Sequence, residues 1–179
     1  ATLLLARAVA AEARLPAELG PPPGPWPLVA APGAPGQALA GGATVPASLL
    51  ASVAEHPDED WLVVHALAHR WFGEQVGIAS WGDLWIQEGL AVWLEARDKE
   101  LRELGRGDHP TGLESPGYAR EVSLWRERLD AALAEEGVDP RLHRPGVREA
   151  QAGGPAVYWR GGLALHALPL KPFVRGLDG

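Results

Sequence analysis

The chain has 179 residues, 46% of them hydrophobic, and a formal net charge of −7. That length suits one domain able to bury roughly two-thirds of its unfolded surface, and an acidic balance with no basic stripe excludes a nucleic-acid binder. With no Cys, neither a disulfide framework nor a thiolate metal site can form, and no apolar run approaches the roughly 20 residues of a membrane-spanning helix.

The chain begins at Ala1 and contains no Met, so a piece of a longer protein, or a processed one, is expected. Leu3, Leu4, Leu5, Ala8 and Val9 predict a helix over residues 2–15, stopped by Pro16. Gly20-Pro21-Pro22-Pro23-Gly24-Pro25-Trp26-Pro27 must be irregular, because Pro fixes φ and removes a donor. Residues 28–31 and 44–50 read as short strands, with a Gly/Pro/Ala-rich loop between them. A helix is expected from about Asp58 to Phe72: Asp58, Glu59 and Asp60 complement its positive end, and Gly73 is a natural stop. The next helix starts near Asp83 as N-cap and runs to Leu104, before Gly105. Ser115-Pro116 announces a fourth, N-cap then first-turn Pro, continuing to Glu136. A last helix spans 155–168 and ends at Pro169, and residues 171–179, without a pattern, are expected to be a disordered or non-native tail.

The chemistry lies in the second and third of these helices. His65 and His69 are four residues apart and share one helix face, so both imidazoles can reach one metal ion. Glu88 sits in the apolar stretch Leu84-Trp85-Ile86-Gln87-Glu88-Gly89-Leu90, where a carboxylate is costly without a cation. A His₂Glu set with water as fourth ligand is a zinc site of the open kind. The bland alternative is a pair of hydrogen-bonded core histidines and a solvated acid. In the sequence word His-Glu-x-x-His the Glu is the general base of a metallopeptidase, and here that position is Ala66.

His65-Ala66-Leu67-Ala68-His69-Arg70-Trp71-Phe72-Gly73, then eighteen residues between His69 and Glu88, then Glu88-Gly89-Leu90-Ala91, resemble the aminopeptidase N family of zinc metallopeptidases, the gluzincins. Val157-Tyr158-Trp159-Arg160-Gly161-Gly162 looks like the family's Tyr-x-Lys-Gly segment. The resemblance implies an α+β, thermolysin-like gluzincin catalytic domain over residues 1–170, a small mixed sheet packed on several helices. It further implies one Zn²⁺ per chain held by His65, His69 and Glu88, and Tyr158 as an oxyanion donor. Glu95, two turns beyond Glu88, matches a family acid and is expected to accept the other ring N–H of a ligating His; the alternative is an exposed residue in the polar run Glu95-Ala96-Arg97-Asp98.

Two departures bear on activity. Ala66 stands in the place of the general base, and residues 37–43 hold no carboxylate where the family grips a substrate's amino terminus. Glu74, the next acid after His69, should point away beyond Gly73. His56, His109, His143 and His166 have no partner at ligand spacing and read as structural or solvated. The expectation is a metallopeptidase-like domain that binds peptide or protein N-terminal segments, with cleavage impaired or absent; the alternative is a zinc-binding pseudoenzyme module. Oligomeric state and compartment stay open.

Overall fold

The computed structural model describes residues 2–15, 19–22, 24–33, 36–39, 41–56, 60–105, 115–135 and 154–168. They fall into two compact units, residues 1–76 and 77–179, each with its own packing. Among the described residues are a three-stranded sheet and six α-helices, a mixed α+β composition. The expected tail, 171–179, lies outside the described residues.

In the first unit, α1 (Thr2–Arg14) turns Leu4, Ala8 and Ala11 inward, with Leu15 continuing the stripe beyond its end. Leu3, Leu5 and Val9, although apolar, are exposed, because a 3.6-residue period buries one stripe and leaves the flanks out. The strands are β1 (Leu28–Ala31), β2 (Gln37–Leu39) and β3 (Gly42–Pro46). Central β3 pairs parallel with β1, Val29 opposite Thr44, and antiparallel with β2, Gln37 opposite Thr44. Ala43 and Val45 alternate into the core, the period-2 pattern of a half-buried strand.

Two elements differ from the sequence expectation. β2 occupies what read as loop, since its three residues gain order only from the ladder with β3. The stretch expected as strand 44–50 is split: β3 ends at Pro46, and a helix, α2 (Leu49–Glu55), follows. Leu49 and Val53, four apart, are its buried residues, and the surrounding Ala and Leu favour helix.

Helix α3 (Trp61–Ala68) is shorter than the expected 58–72. Asp58 and Glu59 lie outside the described residues. Asp60 is the N-cap but makes no capping bond with its side chain; its buried carboxylate faces Arg7 at 3.9 Å. After Ala68 the chain leaves the helix through tight turns to Gly73, whose φ of 132° suits a residue without Cβ, and Gly73 N–H bonds the Val76 carbonyl at 2.9 Å.

The second unit is helical. A 3₁₀ turn, Trp81–Asp83, leads into α4 (Leu84–Gly105); Asp83 precedes α4 as expected, and its carboxylate accepts from Ser80 Oγ at 2.8 Å. Helix α5 (Pro116–Leu133) is capped by Ser115, whose hydroxyl accepts the Tyr118 N–H at 3.2 Å. It stops at Leu133 rather than Glu136. Helix α6 (Pro155–Ala167) packs on both α4 and α5. Gly89 of α4 and Gly161 of α6 meet backbone to backbone: a Cβ on Gly89 would stand 2.6 Å from the Gly161 carbonyl carbon. Gly162 lies against Val92 and Trp125.

The polar run of α4 is not a solvated face. Glu95, Arg97, Asp98 and Glu100 are all buried. Arg97 pairs with Glu100, Arg102 with Asp98 at 2.9 Å, and Lys99 with Glu121 of α5. Glu103 accepts the Gly117 N–H at 3.1 Å. Removing one partner of such a pair leaves a buried charge uncompensated, so this network ties α4 to the start and middle of α5. Among the described residues no helix is long and apolar enough to cross a membrane.

Candidate metal centre

His65 and His69 belong to the first unit; Glu88, Glu95 and Tyr158 belong to the second. His65 lies in the last turn of α3, and His69 is the residue after its regular end, still with helical backbone angles of −65° and −12°. That continuation keeps the two imidazoles on one face. Their Nε2 atoms are 3.1 Å apart, with ring planes at 77°.

The hydrogen bond on the far side of His69 decides what its ring can do. His69 Nδ1 is 2.9 Å from the Phe72 carbonyl. A carbonyl can only accept, so Nδ1 carries the proton and Nε2 of the neutral ring presents a lone pair toward His65. This is the arrangement of a ligating histidine, one ring nitrogen anchored and the other turned to a metal. Two nitrogens each about 2.0–2.1 Å from a tetrahedral ion stand roughly 3.3 Å apart, close to the observed separation. The imidazole pair therefore fits a zinc ion. Ala66, between them in sequence, is buried and offers only a methyl group.

In the second unit, Glu88 is buried in the first turns of α4, with 8% of its surface exposed. Its charge bears on Tyr158 of α6: burial first, and then Glu88, push the phenol up to about 12. The Gly89–Gly161 crossing explains why these side chains share one environment, since it draws α4 and α6 together beside the positions that carry them. Glu95, expected either to accept from a ligating His or to be exposed, is not exposed.

The Tyr158 shift carries a pH expectation. The folded chain holds the phenol protonated above its ordinary value near 10, so this contribution to stability is complete below pH 10. It is lost as pH rises from about 10 through about 12. In an alkaline titration of metal-free protein followed by phenolate absorbance, Tyr158 should ionise late, near pH 12, and Tyr158→Phe should remove that step. A titration of folded protein that Tyr158→Phe leaves unchanged near pH 12 would contradict it.

Three partnerships escaped the sequence. Arg70, beside His69, is buried; it pairs with Glu12 of α1, donates to the Gly24 carbonyl and lies 5.7 Å from the Trp26 ring centre. Glu74 turns its carboxylate to the Gly41 N–H at 3.2 Å, which brings an acid to the β2–β3 turn that has none of its own. His166, read as structural or solvated, stands 3.1 Å from the hydroxyl of fully buried Tyr118, joining α5 to α6. None of these pairs has a local spacing that could announce it.

Residues 46–104 match the peptidase family M1 domain. Aminopeptidase N of Mus musculus is 50% identical over 34 residues, 19% of this chain and 4% of that protein. Aminopeptidase N of Streptomyces lividans is 31% identical over 68 residues, 38% of this chain and 8% of that protein. Aminopeptidase 2 of Candida albicans is 48% identical over 33 residues, 18% and 4%. The chain thus spans less than a tenth of the length of these relatives. No solved structure matches it significantly. Tyr158 lies outside the matched segment. Through residues 46–104, which carry His65, Ala66, His69, Glu88 and Glu95, the chain is related to the M1 aminopeptidase family.

Proposed function

We propose that this chain is a zinc-binding, metallopeptidase-like domain of thermolysin-like gluzincin type, holding one ion through His65, His69 and Glu88, in which peptide hydrolysis is crippled at Ala66. Two imidazole nitrogens and a carboxylate oxygen are a donor set that can hold a metal ion. The observation that carries the reading is the His69 Nδ1–H bond to the Phe72 carbonyl, which puts the ring lone pair on Nε2, the atom that faces His65 Nε2 at 3.1 Å and that a metal would take. Eighteen residues separate His69 from Glu88, the spacing of the resembled family, and Glu88 is a buried acid, whose charge a cation would compensate. In this reading Glu95 orients His65, because the Phe72 carbonyl already takes Nδ1 of His69.

A bound zinc ion would polarise a scissile carbonyl and make an attacking water more acidic. The protein's own groups must then move protons and hold charge. Tyr158 keeps its O–H to well above neutral pH and can donate it to a developing oxyanion. Ala66 can neither take a proton from water nor return one to a leaving amine. General acid–base help of that kind is worth about 10²–10⁴ in rate. Residues 37–43 contain no carboxylate to anchor a free amino terminus.

These two losses favour a second reading, a pseudoenzyme module that binds peptide or protein N-terminal segments without cleaving them. Both readings require the metal. Protein purified without chelator and reconstituted with zinc should retain about one ion per chain by elemental analysis, and Glu88→Gln should lower that retention sharply under chelator competition. No retained zinc in the parent chain would overturn both readings.

A further inference from the structure

His69 is the candidate ligand least protected by its own helix. The regular part of α3 is eight residues long and ends at Ala68. Isolated helices of that length are marginal, and their ends fray. Beyond this end the backbone bonds are all local: Arg70 N–H to Leu67, Trp71 and Phe72 N–H to Ala68, Glu74 N–H to His69, Val76 N–H to Trp71 and Gly73 N–H to Val76. Local hydrogen bonds alone would leave the ring of His69 at the mercy of that fraying.

The next two side chains supply what the turns lack. Arg70 and Trp71 are exposed by only 1% and 4%. Arg70 reaches back 58 residues to the Glu12 carboxylate and 46 residues to the Gly24 carbonyl, and its guanidinium lies 5.7 Å from the Trp26 ring centre. Trp71 Nε1 donates to the Gly20 carbonyl at 3.2 Å, 51 residues away. Gly20, Gly24 and Trp26 come from a proline-rich sequence that cannot build regular structure of its own, yet two consecutive residues bind them to the end of the ligand helix.

We infer that Arg70 is a positioning residue for the metal centre: with Glu12, Gly24 and Trp26 it clamps the end of α3 and so holds His69 at its ligating angle. The inference rests on the zinc reading above. By linkage, a metal on His69 must in turn tighten the clamp.

Zinc affinity, measured by chelator competition, and the Co²⁺ absorption spectrum separate this from mere structural support. In Arg70→Met, zinc affinity of the folded protein should fall about 10–100-fold, the range for groups that orient a ligand, and the Co²⁺ bands should shift and weaken. Arg70→Lys should recover part of both. Glu12→Gln, at a half-exposed position outside the core, should move them in the same direction and serves if Arg70→Met does not fold. Val53→Ala, a core truncation in the same unit, should lower the urea midpoint without altering the Co²⁺ bands. Parent-like affinity and spectrum in folded Arg70→Met, or in Glu12→Gln where the former does not fold, would overturn the inference. A parent chain that binds neither Zn²⁺ nor Co²⁺ would instead defeat the metal reading, and this inference with it.

Discussion

Ala66→Glu is expected to raise zinc-dependent peptide hydrolysis by about 10²–10⁴-fold over the parent chain, the usual contribution of general acid–base catalysis. The parent has its candidate ligands and a protonated phenol at Tyr158, but the Ala66 side chain, next to His65 in sequence, cannot accept a proton. Position 66 is buried, with an exposure of 3%, so the new carboxylate is costly in the metal-free state. The variant should therefore melt lower than the parent without zinc and regain stability when zinc is added. Cleavage should be sensitive to chelator and should show little preference for a free over a blocked amino terminus, because residues 37–43 hold no acid and the Glu74 carboxylate at that turn is taken by the Gly41 N–H. Adding Tyr158→Phe to that background should reduce turnover again, as for a lost oxyanion donor. A folded, zinc-loaded Ala66→Glu protein with no gain in cleavage would favour the binding-module reading. Robust chelator-sensitive turnover by the unmodified chain would show that another base does this work.

Gly161→Ala should destabilise the second unit by about 1–3 kcal/mol, the ordinary cost of overpacking. A Cβ at that position would stand 2.4 Å from the Trp85 carbonyl oxygen and 2.8 Å from the Gly89 Cα. Both neighbours are backbone, so no rotamer change relieves the clash, and α6 must move off α4. Replacing Gly by Ala in a helix interior otherwise gains up to about 1 kcal/mol. The sign of the change thus tests the crossing directly. Gly105→Ala, at the open end of α4 with nothing within 4 Å of its Cβ, is the matched control and should be neutral or slightly stabilising. Urea unfolding of the three proteins decides the matter: a Gly161→Ala midpoint at or above the parent's would rule out the close crossing. Because Tyr158 rides on α6 less than one turn before Gly161, the same variant should also bring its late phenol titration back toward pH 10.

Much of the candidate site was legible in the chain because its logic is local. His65 and His69 face one way because four residues make about one helical turn, and Ala66 is visible as a missing base for the same reason. The Ser115-Pro116 start of α5 and the extent of α6 follow from capping and proline chemistry that act within a few residues. The Gly161-Gly162 pair was readable as a motif, although its use as a helix crossing was not.

Tertiary structure decided everything that depends on a distant partner. Residues 37–39 become a strand because β3 lies beside them, and Leu49–Glu55 becomes a helix where Leu49 and Val53 find a core. The charged run Glu95 to Glu100, polar by any sequence measure, meets α5 where Lys99 finds Glu121, although its other pairs, Arg97 with Glu100 and Asp98 with Arg102, are local to α4. Phe72 supplies the carbonyl that sets the His69 tautomer only because the chain turns sharply after Ala68. Arg70 meets Glu12 across 58 residues of sequence, a contact without periodicity or local spacing to foretell it. Short-range backbone and side-chain geometry thus placed the chemistry in the sequence, while loop closure and burial, which act over long separations, determined which charges went inside and what holds the ligand helix at its end.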